Sequence, residues 1–540
     1  MLNNLPILSM IAFSPLLGIL VLCFLRSDKG NLIKTVAILT TLIPLVLAAW
    51  LYVDYNYHGD PLQYKEQLNW ITVPLNHEAI DKLTQYYFKF KYSLAVDGVS
   101  LPLVFLTALI STMAAMASVH IKKRWKTYFI LFLLLEIGMF GVFMSQDLFL
   151  FFLFFELTLV PMFFLIGIWG YIKREEAANR FLIYNGLGSA IMLIAFLILV
   201  TTAGFSQSPS TTEAIVYYSG DIQTIAHNLL KDPMALVNQP DTPFYLGSSM
   251  KWTLFIMLLV AFGIKLPIFP FHTWMLKVHT EAPPSVVMIH SGILLKMGAY
   301  GLIRFGILFF PTEAKQWAWM LALLGVINIV YGAILAIVQK DFKLVLAYSS
   351  ISHMGVVLLG LAAFQVTGLQ GAVFQLVSHG LISALMFLLV GSIFERTETT
   401  MLDSLGGLAK SVPFMSGILL ISGMASLGLP GLSGFISEFL AFLGLFQSHP
   451  VYAIVGTLGI ILAAVYVLRG VLSITYGPLK DHLAAYEMRD ARLMEAIPMI
   501  VLVAFILLLG VFPSVLSQVM HQTLGSFDQV IQSVAGKIGG

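Results

Sequence analysis

Long apolar runs alternate with short polar segments along the whole chain. A membrane-spanning helix needs roughly 20 mostly apolar residues, and counting such runs predicts about 14 spans in the 540 residues. Their approximate bounds are 5–25, 32–53, 99–119, 127–145, 147–170, 180–203, 252–275, 284–308, 316–338, 343–363, 369–394, 412–445, 451–475 and 495–517. The pattern therefore predicts an all-α polytopic membrane protein formed by a single membrane domain, 1–540.

The composition supports this class. Hydrophobic residues make up 58% of the chain and charged residues 11%, whereas soluble domains average about 45–50% apolar and about 25% charged residues. The net charge of +2 gives no large basic face for nucleic acid. The single cysteine, Cys23, excludes an internal disulfide framework and a Cys-ligated iron–sulfur cluster. The first apolar run lacks a basic leader and is too long for a signal peptide, so we expect a retained span.

Basic residues indicate the orientation in the membrane. They concentrate in the odd-numbered loops, for example Lys122, Lys123, Arg124 and Lys126 in the third, while the short even loops "SQD", "FQVTG" and "QSHP" contain none. The positive-inside rule then places the odd loops in the cytoplasm and both termini on the opposite side. Two long polar loops, about 54–98 and 204–250, are extracytoplasmic in this topology, and neither has the apolar content of a separate soluble domain.

Two predicted spans are interrupted. The seventh, in "AFGIKLPIFPFHTWM", contains Pro267 and Pro270, and the twelfth, in "GLPGLSG", contains Gly428, Pro430 and Gly431. Proline removes backbone hydrogen bonds and leaves carbonyl groups free to hold water. Broken backbone at membrane depth is tolerated where it lines a wet cavity. Interrupted helices at matching positions of two halves indicate a transport site.

The two interruptions suggest an internal repeat. They lie five spans apart, and because five is odd, repeated units would have inverted topology. We therefore predict N-terminal helices 1–3 with an extracytoplasmic loop in 1–124, a first five-helix repeat in 125–310, a second inverted repeat in 311–476, and helix 14 with a tail in 477–540.

Ionisable side chains inside the spans are the candidate site. Each costs about 2.5–3.5 kcal/mol at the bilayer centre on insertion scales, so membrane chains retain them mainly for function. A lysine balanced between desolvation, which favours its neutral form, and a carboxylate, which favours its charged form, can gain and lose a proton. We predict a proton pathway. Its candidate members are Glu136, Glu156, Lys265, Lys296, Glu438, His290, His353 and His379.

Each member also has a structural explanation. Lys265 could extend to the membrane interface, Glu136 could pack against a hydroxyl group, and Glu156 could satisfy a helix kink. Lys296 and Glu438 could form structural ion pairs, and each histidine could bridge two helices. Five deep charges in one chain are harder to explain in this way than any one of them.

Other motifs indicate no bound cofactor or metal. "GLPGLSG" lacks the Lys-Ser/Thr of a phosphate loop and lies between membrane helices. "HTWMLKVH" has histidines seven apart, which is not a metal-ligand spacing. We expect no catalytic redox residue, cofactor site or metal site in this chain.

Long ordered motifs carry a resemblance to a known family. "FFLFFELTLVPMFFLIGIWG", "AFGIKLPIFPFHTWM", "APPSVVMIHSGILLKMGAYGLIRFG", "QKDFKLVLAYSSISHMG" and "GLPGLSGFISEF" together resemble subunit M of bacterial complex I, the proton-translocating NADH-quinone oxidoreductase. The resemblance extends from about the third span to the thirteenth. It implies two inverted five-helix repeats, spans four to eight and nine to thirteen, with broken helices 7 and 12.

The resemblance also implies roles for individual residues. Glu156 would pair with Lys265, Lys296 would link two half-channels, and Glu438 would connect to the proton exit. The histidines of spans ten and eleven would lie on a central hydrophilic axis. Related L, N and Mrp-type D subunits generally have lysine at the position of Glu438, so its glutamate favours subunit M.

The implied assembly is a respiratory complex in a bacterial plasma membrane. NADH, FMN, iron–sulfur clusters and quinone would be bound by partner subunits and none by this chain. The expected partners are L-, N-, K-, J-, A- and H-like membrane subunits, the peripheral arm indirectly and the lipid bilayer, with no nucleic acid. Two alternatives remain open: an Mrp-type sodium/proton antiporter subunit, and the membrane subunit of a hydrogenase or ferredoxin-linked complex.

Overall fold

The computed structural model describes residues 5–75, 84–118, 121–208, 214–484 and 488–538. Its helices in chain order are Ile7–Phe24 (α1), Gly30–Asp54 (α2), Ser100–Ala117 (α3), Trp125–Met144 (α4), Leu148–Trp169 (α5), Arg174–Thr202 (α6), Ile222–Leu230 (α7), Ser248–Lys265 (α8), Thr273–Glu281 (α9), Pro284–Ile307 (α10), Pro311–Gln316 (α11), Ala318–Val338 (α12), Phe342–Ala362 (α13), Val366–Thr397 (α14), Pro413–Ser426 (α15), Ser433–Ser448 (α16), Pro450–Thr475 (α17), Asp481–Ala484 (α18), Leu493–Val511 (α19) and Ser514–Ile538 (α20).

Thirteen of these helices, within the described ranges, are long and apolar enough to cross a membrane. This confirms the all-α polytopic class. The twelfth predicted span is divided between α15 and α16, which are each shorter than the other spans, and the exact count of 14 remains a prediction. The inverted repeat remains a prediction.

The seventh predicted span is also divided. Helix α8 begins at Ser248, ends at Lys265, and is followed by α9 only at Thr273. The intervening segment contains Pro267 and Pro270, which cannot donate backbone hydrogen bonds. The predicted span of 252–275 therefore starts too late, and its second half continues to Glu281.

Glycine conformation accounts for the break between α15 and α16. Gly428 and Gly431 have φ angles of +77° and +91°, a region that L side chains rarely adopt. Pro430 lies between them. The chain therefore leaves the helix after Ser426 and starts a new one at Ser433.

Helices α10 and α14 form the centre of the molecule. An 18-residue stretch of each is wholly buried inside the chain, and α14 packs against α10, α13 and α16. Helix α10 contains two π-helical turns, His290–Leu294 and Leu302–Ile307. Such turns are rare and occur often at functional sites. The site described below lies where these four helices meet.

The two long polar loops, predicted to be extracytoplasmic, form a sheet that the sequence did not predict. Its strands are Gln63–Leu75 (β1), Thr84–Val96 (β2), Phe205–Ser208 (β3) and Ala214–Ser219 (β4), in the order β1-β2-β4-β3. The β1–β2 and β3–β4 pairs are antiparallel, and β2–β4 is parallel. This sheet joins the loop after α2 to the loop after α6.

The predicted C-terminal tail is helical. Helix α20 is amphipathic, and Leu516, Val519 and Met520 on one face are buried. The Gly98 N–H donates to Thr523 Oγ1 at 2.8 Å, which fixes α20 against the start of α3. The segment predicted as an extension of span 14 and a tail is therefore packed on the predicted extracytoplasmic side.

Candidate functional site: a buried polar axis

Lys265 is the last residue of α8 and is 2% exposed. Its Nζ lies 5.1 Å from the centre of the Phe155 ring and 5.4 Å from that of Phe181. Aromatic faces attract a desolvated cation. The side chain therefore points into the protein, which does not fit extension to the membrane interface.

Side chains satisfy the broken backbone next to Lys265. The Asn328 carboxamide accepts from Phe269 N–H at 2.9 Å and donates to the Pro267 carbonyl at 3.4 Å. The Trp274 indole N–H donates to the Ile264 carbonyl at 3.1 Å. Protein groups therefore occupy carbonyls that the sequence predicted to be free for water. Buried polar groups are costly unless paired, which explains these two polar partners.

The two glutamates of α4 and α5 make few contacts. No ion pair joins Glu156 to Lys265 in the described residues, although the two are close enough to interact electrostatically. The Glu156 Oε1 atom is buried without a hydrogen-bond partner. Glu136 is fully buried, and both of its carboxylate oxygens lack a hydrogen-bond partner. The structure therefore holds Glu156 near Lys265 without contact and does not connect Glu136 to the other candidates.

A histidine pair lies between the two lysines. His290 Nδ1 and His279 Nε2 are 2.9 Å apart, and both rings are fully buried. The Phe181 ring, which faces Lys265, is also 6.0 Å from the His290 ring. His279 lies in the last turn of α9 and was not among the predicted residues, because a histidine seven residues from His272 carries no distinctive motif.

Lys296 connects α10 to α14. Its Nζ lies 2.8 Å from His379 Nδ1 and also donates to the Ser291 carbonyl inside the π-helical turn. The His379 and His353 rings are 5.4 Å apart between centres. Lys296 is fully buried, and its neighbours are nearly so. A single polar series therefore runs through the centre of the chain.

Glu438 lies at the end of this series. Its Oε1 is 3.5 Å from His353 Nδ1, and a Cβ at Gly428 would lie 2.7 Å from its Oε2. A side chain at position 428 would therefore displace the Glu438 carboxylate, in addition to straining the backbone at a φ of +77°. His353 Nδ1 is also 3.2 Å from Gln375 Nε2, so two groups compete for one nitrogen.

Two small polar cavities flank the histidines. One of about 20 Å³ is lined by Ser349, Ser350, His353, His379 and other residues, mostly of α13 and α14. The second, of about 10 Å³, lies between His379 and Glu438. Polar cavities of this kind can hold water that bridges donors and acceptors.

Of the eight predicted residues, the structure brings Lys296, His379, His353 and Glu438 into one series. Lys265 and His290 lie close to it, and Glu156 lies near Lys265. The additional residues are His279, Asn328 and Gln375, the last two of which are uncharged amides in apolar helices. The rarity of amides within apolar runs is a signal that could have identified them.

Outside the spans, one buried carboxyl lies at the start of the helix that carries Glu156. Asp147 precedes α5, is fully buried, and its Oδ1 accepts from the N–H groups of Phe149 at 2.9 Å and Leu150 at 3.3 Å. Burial, and secondarily the charge of Asp221, raises the pKa of Asp147 to about 6.

Comparison with known proteins identifies the family of this site. The family described as "NADH:quinone oxidoreductase/Mrp antiporter, TM" matches residues 145–463, and "NADH-ubiquinone oxidoreductase chain 4, amino terminus" matches residues 79–144. The first range contains Lys265, Lys296 and Glu438, and the second contains Glu136.

Relatives match nearly the whole chain. NADH-quinone oxidoreductase subunit M of Rhodobacter capsulatus is 35% identical over 97% of this chain and 96% of its own length. A chain of respiratory complex I from Thermus thermophilus matches with a TM-score of 0.80 and 26% identity, over 97% of this chain and 99% of that one. A chain of the Mrp complex from Dietzia sp. shares the fold, with a TM-score of 0.77 and 21% identity over 98% of this chain and 99% of that one. This chain belongs to the NADH:quinone oxidoreductase/Mrp antiporter family of membrane subunits, in its subunit M or chain 4 branch.

Proposed function

We propose that this chain translocates protons for an NADH-quinone oxidoreductase along the axis Lys265–His290–His279–Lys296–His379–His353–Glu438. The observation that carries the proposal is the contact series from Lys296 through His379 and His353 to Glu438. Its members bind protons reversibly and are buried where no bulk water competes. A chain of such groups is the arrangement expected of a proton relay.

The two partners of His353 suggest how a proton leaves the series. When Nδ1 is unprotonated, it accepts a hydrogen bond from the Gln375 amide at 3.2 Å. When it is protonated, it repels that donor and donates to Glu438 at 3.5 Å. Proton arrival therefore changes the partner of the ring and directs the proton towards Glu438.

Lys265 is the expected control point. Its ammonium faces two rings and feels the charge of Glu156 without contacting it. A movement of α5 that brings Glu156 into contact would favour the charged lysine, and its withdrawal would favour proton release to His290. We infer that quinone reduction elsewhere in the complex drives this change.

The chain carries out no redox chemistry in this proposal. NADH, FMN, iron–sulfur clusters and quinone belong to partner subunits, and the L-, N-, K-, J-, A- and H-like membrane subunits are its neighbours. The support comes from the relatives, which are subunits of such complexes, and from the single cysteine.

Lys265→Ala tests the proposal in the intact complex. Because a positioned proton carrier contributes about 10²–10⁴ in rate, we expect quinone-coupled proton pumping to fall at least about tenfold. Reduction of an artificial acceptor by the peripheral arm should be unchanged. Lys251→Ala, in the first turn of the same helix, is the matched control and should pump normally.

Wild-type pumping by Lys265→Ala would rule out its role. The Mrp alternative has a different signature, because the chain would then co-purify with small antiporter subunits and without flavin or iron–sulfur proteins. The shared fold of the Dietzia chain makes that comparison necessary.

A further inference from the structure

Lys343, at the start of α13, lies outside the polar axis and is enclosed by two aromatic rings. Its Nζ is 3.9 Å from the centre of the Tyr171 ring and 4.7 Å from that of Phe394, and its side chain is largely buried. Tyr171 belongs to the loop between α5 and α6, and Phe394 lies near the end of α14. Three separate parts of the chain thus enclose one ammonium group on the predicted cytoplasmic side.

The enclosure is anchored by acidic groups. The Tyr171 N–H donates to the Glu281 carbonyl at 2.8 Å, and the Lys173 N–H donates to the Glu281 carboxylate at 2.8 Å. Burial, and secondarily the charges of Glu395 and Glu281, raises the pKa of Tyr171 to about 12. The phenol therefore stays neutral, and the ring holds Lys343 through its π face. Asp341 and Glu281 are the carboxylates near Lys343.

A polar route begins directly beneath this enclosure. Lys343, Leu346, Ser350 and His353 are spaced three, four and three residues apart, so they follow one face of α13. The cavity of about 20 Å³ is lined by Leu346 and Phe387 as well as by His353 and His379. Leu346 is about 4.5 Å along the helix axis from Lys343. Roughly one turn of helix therefore separates the backbone of Lys343 from that of Leu346, which lines the cavity that contacts the axis.

We propose that Lys343, held between Tyr171 and Phe394, gates a cytoplasmic entrance through which protons reach His379 and His353. With the ammonium between the rings, the side chain blocks the passage. Movement of Lys343 towards Glu281 or Asp341 opens it, and a proton then passes along Ser350 and cavity water to a histidine of the axis. This entrance rests on the proposed proton pathway and adds a second point of supply beyond Lys265.

Cysteine accessibility tests the gate without depending on pumping. Cys23→Ser removes the one native thiol, and Ser350→Cys places a reporter in the cavity. The assay measures the rate at which a small cationic methanethiosulfonate labels the reporter in inside-out membrane vesicles that contain the intact complex. Lys343→Ala, which removes the side chain that blocks the passage together with its charge, should increase this rate at least tenfold.

Two controls make the result specific. Tyr171→Ala opens the enclosure from the other side and should give the same increase, so it carries the test if Lys343→Ala does not assemble. A reporter at Ser111, buried in α3 and absent from the cavity lining, should label at one rate in all backgrounds. Right-side-out vesicles should show no increase for the Ser350 reporter.

Unchanged labelling of Ser350→Cys in both gate variants would overturn the entrance, as would an increase seen only from the extracytoplasmic side. The proposed function fails separately. Lys265→Ala should reduce pumping and leave the labelling of Ser350→Cys unchanged. If Lys265→Ala pumps normally while the gate variants still increase labelling, the axis is contradicted and the entrance is retained.

Discussion

Asp147 provides a pH-dependent test of how α5 is held. Its pKa in the folded protein is about 6 and its ordinary value is 3.8, so the folded protein binds this proton more tightly than the unfolded chain. The stability that protonated Asp147 contributes is therefore fully present below its ordinary pKa of 3.8 and is lost as the pH rises through about 6. The shift corresponds to about 3 kcal/mol at most, of which roughly half is lost between about pH 5 and about pH 8.

Asp147→Asn removes the charge and keeps an oxygen that can accept from Phe149 and Leu150. We expect the variant to be more stable than the wild type by up to about 3 kcal/mol near pH 8, and its stability to be nearly independent of pH. Asp221→Asn should have a smaller effect in the same direction, because the charge of Asp221 is the weaker of the two causes that raise the pKa.

Hydrogen exchange with mass spectrometry measures this effect in the purified complex. After correction for intrinsic rates, amides of the first turns of wild-type α5 should exchange about tenfold faster near pH 8 than near pH 5, the equivalent of about 1.4 kcal/mol. The same amides of Asp147→Asn should show little change. Equal pH dependence in both proteins, or a less stable variant near pH 8, would refute the linkage.

Two further substitutions test the packing and the proton exit. Gly298→Ala would place a Cβ 2.6 Å from Leu266 N and 2.8 Å from the Phe262 carbonyl, so thermal unfolding should show a loss of stability of about 1–3 kcal/mol. The control Gly186→Ala, which has nothing within 4 Å, should be neutral or slightly stabilising. Equal effects of the two substitutions would contradict the close approach of α10 to the break. Gln375→Leu removes the hydrogen-bond donor to His353. Because one hydrogen bond contributes about 1 kcal/mol, coupled pumping should fall about fivefold, while acceptor reduction by the peripheral arm stays unchanged. An unaffected pumping rate would exclude this amide from the relay.

The helices were predictable because their cause is local. A run of apolar residues long enough to span the bilayer must satisfy its own backbone hydrogen bonds, and a helix does this within the run. Most predicted bounds lie within a few residues of the observed ones, as for α1 and α13. The interruptions were also readable, since Pro267 and the glycines at 428 and 431 act on the backbone where they stand.

The elements of the predicted extracytoplasmic side depend on distant or weaker signals. Strand β2 pairs with β4 about 130 residues later, and no local pattern reveals that partner. The helix α20 was predictable in principle, because Leu516, Val519, Met520 and Leu524 recur at helical spacing. The apolar pattern of spans does not include it, because only one face of this helix is apolar.

The candidate site was predictable in its charges and not in its connections. Lys296 and Glu438 are conspicuous because charge is costly in a membrane. Which histidine meets which lysine depends on the crossing of α10 and α14, and on a π-helical turn that changes which residues face α14. The His279–His290 contact likewise arises only after α9 folds back beside α10.

The measurement that tests the central claim most directly is the number of protons pumped per NADH oxidised by inside-out vesicles carrying Lys296→Met. Lys296 makes the shortest side-chain contact of the axis, at 2.8 Å to His379, and methionine preserves its bulk without its protons. The account predicts that this ratio, or the quinone-coupled rate itself, falls at least severalfold while NADH oxidation by an artificial acceptor stays at the wild-type rate. A wild-type ratio at a wild-type rate would contradict proton transfer through this axis.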